Sequence, residues 1–527
     1  MRDDPRGTPW VQGSDWMPMQ IFPRHLYTSA LRPRWLLNAL LFAIAVLLVV
    51  QFVVSQRLIY PFDAPDERVH FARAHDVAFA PGVVKLSTAA GKVAVGAFFY
   101  DPQPVNDCYG KPDCVVSPSG SLLGRLRLDE FFRLVPFPGA AGSDNSFPYA
   151  GGNYVHLIPP LRLASLLHLT VLESYRIARA ASGLLFLGVS ALLIVLIHWQ
   201  RLNASQAFPI ALLGLGFWLP SSIFLSNSVS GDYLVTAASV LIALFLLSSS
   251  WVMPPRLRSF GLMLQPVLYF MVLGKLPYAP IVLASAVLTW LRYPQARSAW
   301  FVGASLMSFM LPLWWYGQSR GAVLALFRSQ RGDWVGATLS PAELVQWLLG
   351  SVGTVVSQFG DLYRQMVAVL GNGPAARLFV PEAFHHIHGV LVLAILGAVV
   401  FGSIAGLAPL RAGVRCCVPS CDVIVVLLGV GLSYFMICYG LRLYWTTSYP
   451  LDGMQGRYFL PLLPLLVVGF DAWWLSGSSA ACGWSSSASR CAVNPLVAPA
   501  ALSALVVSTF QLIFYLKNVF HFYSASL

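Results

Sequence analysis

Charge is scarce in this chain: Asp, Glu, Lys and Arg make up 11% of its 527 residues, and only 22 of them are acidic. With 57% hydrophobic residues and a mean hydropathy of +0.66, too few polar groups remain to coat a soluble globule of this length. Cysteine is also sparse, at eight residues. Cys416, Cys417 and Cys421 lack the paired C-x-x-C spacing of a structural metal site. Basic residues are not interleaved with aromatics, so nucleic acid is not an expected partner. No internal repeat, low-complexity tract or soluble globular domain is evident along the chain.

What the chain has instead is long apolar runs. Trp35 to Ser55 carries no charge, and about 20 such residues are what a hydrocarbon core of roughly 30 Å requires of a helix. Some thirty residues precede it and no small-x-small cleavage pattern follows, so it reads as an uncleaved anchor. Further apolar stretches fall at 180–197, 207–225, 233–250, 260–273, 276–291, 300–316, 389–408, 423–441, 458–474 and 497–516. The expected fold is an all-α polytopic membrane protein of about 11 transmembrane helices. Within 260–291, Lys275 and Pro277 leave open two short helices or one broken one, an irregularity tolerated only against protein or a wet cavity.

Sidedness follows from Lys and Arg in the short connections. Arg24, Arg32, Arg34, Arg201, Arg256, Arg258, Arg292, Arg297, Arg411, Arg415 and Arg490 fall on one side if the spans alternate, which makes the amino terminus cytoplasmic. The net charge of +12 is largely this bias. The implied division is a cytoplasmic segment 1–34, a first transmembrane helix 35–55, an outer loop 56–176, helices two to seven in 177–316, a second outer loop 317–388, and helices eight to eleven in 389–527. Cys108 and Cys114 share the first outer loop, where oxidising conditions permit a bridge. Both outer loops are longer than connectors and contain stretches, among them Leu161 to Leu172, that read as short interfacial helices.

Three groups of polar residues stand out. The run Pro65-Asp66-Glu67-Arg68-Val69-His70 sits just beyond the first span. A helix beginning at Pro65 would gain from acids at its amino terminus, and that alone accounts for Asp66 and Glu67. The same helix would put Asp66 and His70 on one face, as a base with its orienting partner or as ligands of a divalent cation such as Mg or Mn. Asn227 and Asp232 flank an outer turn that turn chemistry can explain. Lys275 lies at membrane depth, where an ionisable group either serves a site or snorkels. Arg457, in Gln455-Gly456-Arg457-Tyr458-Phe459-Leu460-Pro461, stands on the outer side against the positive-inside trend, and its fork suits phosphate oxygens. The histidines of His385-His386-Ile387-His388 are too close to share one face.

Taken in order, Pro65-Asp66-Glu67 with His70, Asn227 with Asp232, Gly274-Lys275-Leu276-Pro277-Tyr278 and Gln455-Gly456-Arg457-Tyr458-Phe459-Leu460-Pro461 resemble a family of bacterial membrane proteins of unknown function assigned to the GT-C superfamily of glycosyltransferases. The resemblance implies a GT-C-like bundle in the bacterial cytoplasmic membrane. It further implies transfer of a sugar from a polyprenyl-phosphate donor to a saccharide or glycolipid acceptor at the outer face, in cell-envelope polysaccharide or glycolipid assembly. Asp66 would be the base, with Glu67 orienting it or completing a cation site and His70 in support. Lys275 and Arg457 would neutralise the departing phosphate, and Asn227, Asp232, Tyr278, Gln455 and Tyr458 would line the substrate. The chain departs from the pattern at Leu157-Ile158-Pro159-Pro160-Leu161-Arg162, where an aromatic more often follows the prolines. No large carboxy-terminal soluble domain is expected, so the loops would grip the acceptor. A flippase or transporter of a lipid-linked saccharide is the alternative, since it too needs many helices and buried cations.

Overall fold

The computed structural model describes residues 34–58, 67–79, 127–128, 151–199, 204–248, 255–331, 346, 349–350, 421–444 and 456–480. Among these the chain is helical without strands, apart from an isolated bridge between Arg127 and Thr170. Helix α1 spans Arg34–Leu58 and α2 Glu67–Phe79. A 3-10 segment, Gly151–Leu157, leads into α3, Ile158–Leu166, which starts on two prolines whose missing N–H groups need no partner there.

The stretch from Leu161 to Leu172 is not one helix. It ends at Leu166 and turns through His168 in the left-handed region, φ 52°. A capping box then starts α4, Val171–Trp199: the Thr170 N–H donates to Glu173 Oε2 at 2.9 Å, and the Glu173 N–H to Thr170 Oγ1 at 3.3 Å. Helix α4 is 29 residues long, the one described helix with the length and composition to cross a membrane; shorter apolar segments are Leu41–Gln56, Gly231–Leu247, Leu276–Arg292, Cys421–Ile437 and Leu463–Ala472.

The stretch 207–225 divides into α5, Ala204–Phe217, and α6, Pro220–Ser226, because Leu219 before the proline is extended (ψ 146°). Next come α7, Gly231–Leu247, and α8, Pro255–Val272. Lys275 is extended (φ −123°, ψ 104°) and opens a 3-10 turn, Leu276–Tyr278, before α9, Ala279–Arg292. The region around Lys275 and Pro277 therefore joins two helices. Helix α10, Ala299–Arg331, α11, Cys421–Tyr444, a 3-10 turn Gly456–Phe459 and α12, Leu463–Ala480, complete the described chain.

Helix α7 is the axis of the bundle. All of its residues except Leu241 are buried, as befits a helix apolar on every side, and α4, α5, α8, α9 and α12 pack around it. At one end Tyr293 stacks on Phe245 at 4.5 Å, and Arg292 donates to Asp422 Oδ2 (2.7 and 3.0 Å) and to the Leu246 carbonyl (2.9 Å). At the other end α2, the 3-10 segment and α3 cover the start of α7, around a second apolar core that includes Phe71, Tyr154, Leu161 and Tyr175. Helix α9 has 14 residues, so about 20 Å of apolar helix separates the two ends.

Polarity is distributed inside out. Phe42, Leu184, Phe260, Met263, Leu306 and Leu427 are exposed on the outer faces, while Asp232, Lys275 and Arg457 are buried. A bundle that exposes large apolar side chains while burying charge is matched to hydrocarbon rather than to water.

Candidate functional site

The end of the bundle covered by α2 gathers residues from four separate parts of the sequence. Glu67 begins α2, where the helix dipole favours its charge, yet its carboxylate does more than cap. Oε1 accepts from the Tyr175 hydroxyl (2.7 Å) and from the Val229 N–H (2.6 Å), joining α2 to α4 and to the turn that leads into α7. Arg179, one turn beyond Tyr175, donates to the Ser55 carbonyl at 2.5 Å and reaches the Tyr175 hydroxyl at 3.5 Å. Glu67 thereby holds the backbone from which Asp232 projects three residues later.

His70 lies one turn along α2. Its Nδ1 is 2.6 Å from the Tyr154 hydroxyl, and the ring sits within electrostatic reach of Asp232. On the same helix Arg73 is buried, with its guanidinium 5.1 Å from the Trp315 ring of α10.

Asp232 is the centre of the cluster. One carboxylate oxygen pairs with Lys275 Nζ and the other lies 3.5 Å from Arg457 Nε; all three side chains are at most 8% exposed. The segment Gly456–Phe459 brings Arg457 here, and its carbonyl at Tyr458 accepts from the Tyr278 hydroxyl at 3.0 Å. The Tyr458 ring faces both cations, Lys275 at 5.9 Å and Arg457 at 5.6 Å. The cluster itself holds two cations to one carboxylate, which suits an anionic ligand.

Close backbone approach makes this geometry available. A Cβ on Gly274 would stand 2.6 Å from the Asn153 backbone nitrogen, and one on Gly231 would stand 2.4 Å from Asn153 Nδ2. Only glycine fits before Lys275, where the clash is with backbone, while a side chain before Asp232 would have to displace the Asn153 amide that sits between the two. The Tyr316 hydroxyl of α10 donates to the Gly274 carbonyl at 3.3 Å.

Among the residues singled out from sequence, Glu67, His70, Asp232, Lys275, Tyr278, Arg457 and Tyr458 share this end of the bundle. Asn227 lies in the turn beside it: its Oδ1 accepts from Gln56 Nε2 at 3.0 Å and its Nδ2 donates to the Ile223 carbonyl at 2.8 Å. Asp66, Gln455, the Cys108 and Cys114 pair, the histidines at 385–388 and nearly all of the second outer loop beyond Arg331 lie outside the described residues. Sequence reasoning passed over Asn153, Tyr154, Tyr175 and Arg179. Arg179 carried a usable signal, a charge inside a long apolar helix, which a start at residue 180 concealed.

A divalent cation was one expectation for Asp66 and Glu67. Of these Glu67 is described, with Oε1 already accepting two hydrogen bonds, and no three described His, Cys, Asp or Glu side chains group as a metal site. Asp66 lies outside the described residues, and no step below runs through a divalent cation.

No curated protein and no solved structure matches the chain. Residues 142–466 match a family model of predicted membrane proteins, which takes in Asn153, Asp232, Lys275 and Arg457 but not α2. That match covers more than half of the 527 residues and agrees with the inverted polarity of the bundle; the chain belongs to the DUF2142 family of predicted membrane proteins.

Proposed function

We propose that the protein is a GT-C-type glycosyltransferase of the bacterial cytoplasmic membrane, multi-pass with about 11 spans and a cytoplasmic amino terminus, that moves a sugar from a polyprenyl-phosphate donor to a saccharide or glycolipid acceptor at the outer face. The observation that carries this reading is the buried cluster of Asp232, Lys275 and Arg457 beneath α2. It sets two cations against one carboxylate at one end of a bundle with apolar flanks, and a phosphate attached to a polyprenyl tail needs charge and hydrocarbon together.

In the proposed reaction an acceptor hydroxyl oxygen attacks the anomeric carbon of the donor. The bond from that carbon to the phosphate oxygen breaks, the hydroxyl proton passes to Asp66, and polyprenyl phosphate leaves as an anion. Lys275 and Arg457 stabilise the charge that grows on the leaving oxygen, a contribution commonly worth about 3–4 kcal/mol per well-placed donor. Glu67 is assigned a positioning role, because its hydrogen bonds run to Tyr175 and the Val229 backbone. His70 and Tyr154 stand beside Asp232, and Tyr278 and Tyr458 shape the floor around the cations.

The test is sugar transfer from polyprenyl-phosphate donors in membranes carrying the full chain. Asp66→Asn is expected to abolish transfer with normal insertion, and Lys275→Met to reduce it at least about 100-fold. Full transfer by Asp66→Asn removes the base assignment. Movement of labelled lipid across proteoliposomes without a new glycosidic bond would replace the enzyme with the transporter, a reading favoured by the engagement of Glu67 in structural hydrogen bonds.

A further inference from the structure

Asn153 is wholly buried, and among the described residues neither its Oδ1 nor its Nδ2 has a hydrogen-bond partner. A buried amide with both polar atoms unmet is costly, and two unmet atoms on one side chain call for an explanation. Its position indicates what that is. The amide lies against Gly231 and Gly274, the residues that precede Asp232 and Lys275, and a Cβ at either glycine would come within 3.0 Å of the Asn153 side chain. Glycine at both positions lets the amide stand against the two backbone segments that carry Asp232 and Lys275.

We infer that the Asn153 amide is a specificity determinant that binds a hydroxyl of the sugar carried on the lipid phosphate, next to the Lys275 and Arg457 pair. The chemistry separates the candidates. A phosphate has acceptors only at neutral pH and could satisfy Nδ2 while leaving Oδ1 bare. A sugar hydroxyl donates and accepts, so one hydroxyl or a vicinal pair satisfies both amide atoms. The phosphate belongs on the cations and the sugar on the amide. This deepens the transferase reading and rests on it.

The experiment measures binding of two probes to the purified full chain in nanodiscs, a polyprenyl phosphate and a panel of polyprenyl-phosphoryl hexoses and pentoses. Wild type is expected to prefer at least one sugar conjugate over the bare phosphate. Asn153→Ala and Asn153→Leu are expected to weaken that conjugate about tenfold and to leave the bare phosphate within about twofold. Asn153→Leu keeps the side-chain outline and removes two unmet polar atoms, so its thermal midpoint should match or exceed that of wild type, which separates lost recognition from lost folding. Equal weakening of both probes, or of neither, overturns the inference and leaves the amide holding an ordered water. Lys275→Met should weaken both probes. Wild type that binds neither probe overturns the transferase reading and this inference with it.

Discussion

Replacing Asp232 by Asn keeps the shape of the side chain and removes a carboxylate that, among the described residues, pairs with both Lys275 and Arg457. At 3.5 Å and an effective dielectric of about 20, the attraction between Asp232 and Arg457 is about 5 kcal/mol before desolvation is subtracted, and the Lys275 contact is of the same order. Most of that gross attraction offsets the cost of taking three charges out of water, so the net worth of the cluster is small. Breaking it is a different matter. Asp232→Asn takes away a counter-charge that both buried cations share, and is expected to cost about 3–5 kcal/mol of unfolding free energy.

Lys275→Met is expected to cost less, about 1–3 kcal/mol, because Asp232 keeps Arg457. The double variant removes both ends of the Asp232–Lys275 pair at once and should lose at least about 1 kcal/mol less than the sum of the singles. The assay is reversible denaturant unfolding in mixed micelles, read for all four proteins of the cycle. A second readout is binding of polyprenyl phosphate: Asp232→Asn unmasks both cations and should tighten it, whereas Lys275→Met should weaken it. Additivity within about 0.5 kcal/mol, or single costs below that, would show that the three side chains do not form a buried cluster and would refute the reasoning.

Three further outcomes follow from neighbouring residues. Gly274→Ala forces a Cβ to 2.6 Å from the Asn153 backbone, which cannot yield as a side chain would, and should cost about 1–3 kcal/mol and most of the binding of polyprenyl phosphate. Tyr175→Phe removes one hydrogen bond from the Glu67 carboxylate; about 1.5–3 kcal/mol of stability should go, and hydrogen exchange at the Val229 amide should rise. His156 is partly buried overall, but its Nδ1 is closed off without a partner, and burial pushes its pKa down to about 3. Below the ordinary value of 6.5 the unfolded chain therefore binds a proton that the folded chain refuses, and stability falls progressively from about pH 6.5 to about pH 3. Thermal midpoints of His156→Asn should decline less than those of wild type across that window, and parallel curves would exclude His156 as the cause.

Sequence made some parts of this site legible and hid others for a physical reason. Lys275 and Arg457 announced themselves because charge inside an apolar stretch is costly and needs a partner. The identity of that partner was not readable: Asp232 also fits a capping acid at a helix start, and its role depends on two segments, 43 and 225 residues further on, folding back to it. Glu67 shows the converse. Adjacency to Asp66 suggested shared chemistry, but a helix beginning at Glu67 sends its carboxylate across to Tyr175 and Val229, contacts that no local pattern encodes.

Asn153 was the hardest residue to read, since Gly151-Gly152-Asn153-Tyr154 looks like ordinary turn chemistry. Its meaning appears only when Gly231 and Gly274 are found pressed against it. Glycine beside Asp232 and glycine beside Lys275 then have one explanation in common: each removes a side chain so that the same amide can stand next to the ion pair. If the amide were mere filling, a larger residue at either glycine and a smaller one at 153 would pack the space as well, without two unmet polar atoms. The double glycine brings the amide up to the backbones that carry the ion pair, and its two unmet polar atoms are better accounted for by a ligand group beside it than by packing alone.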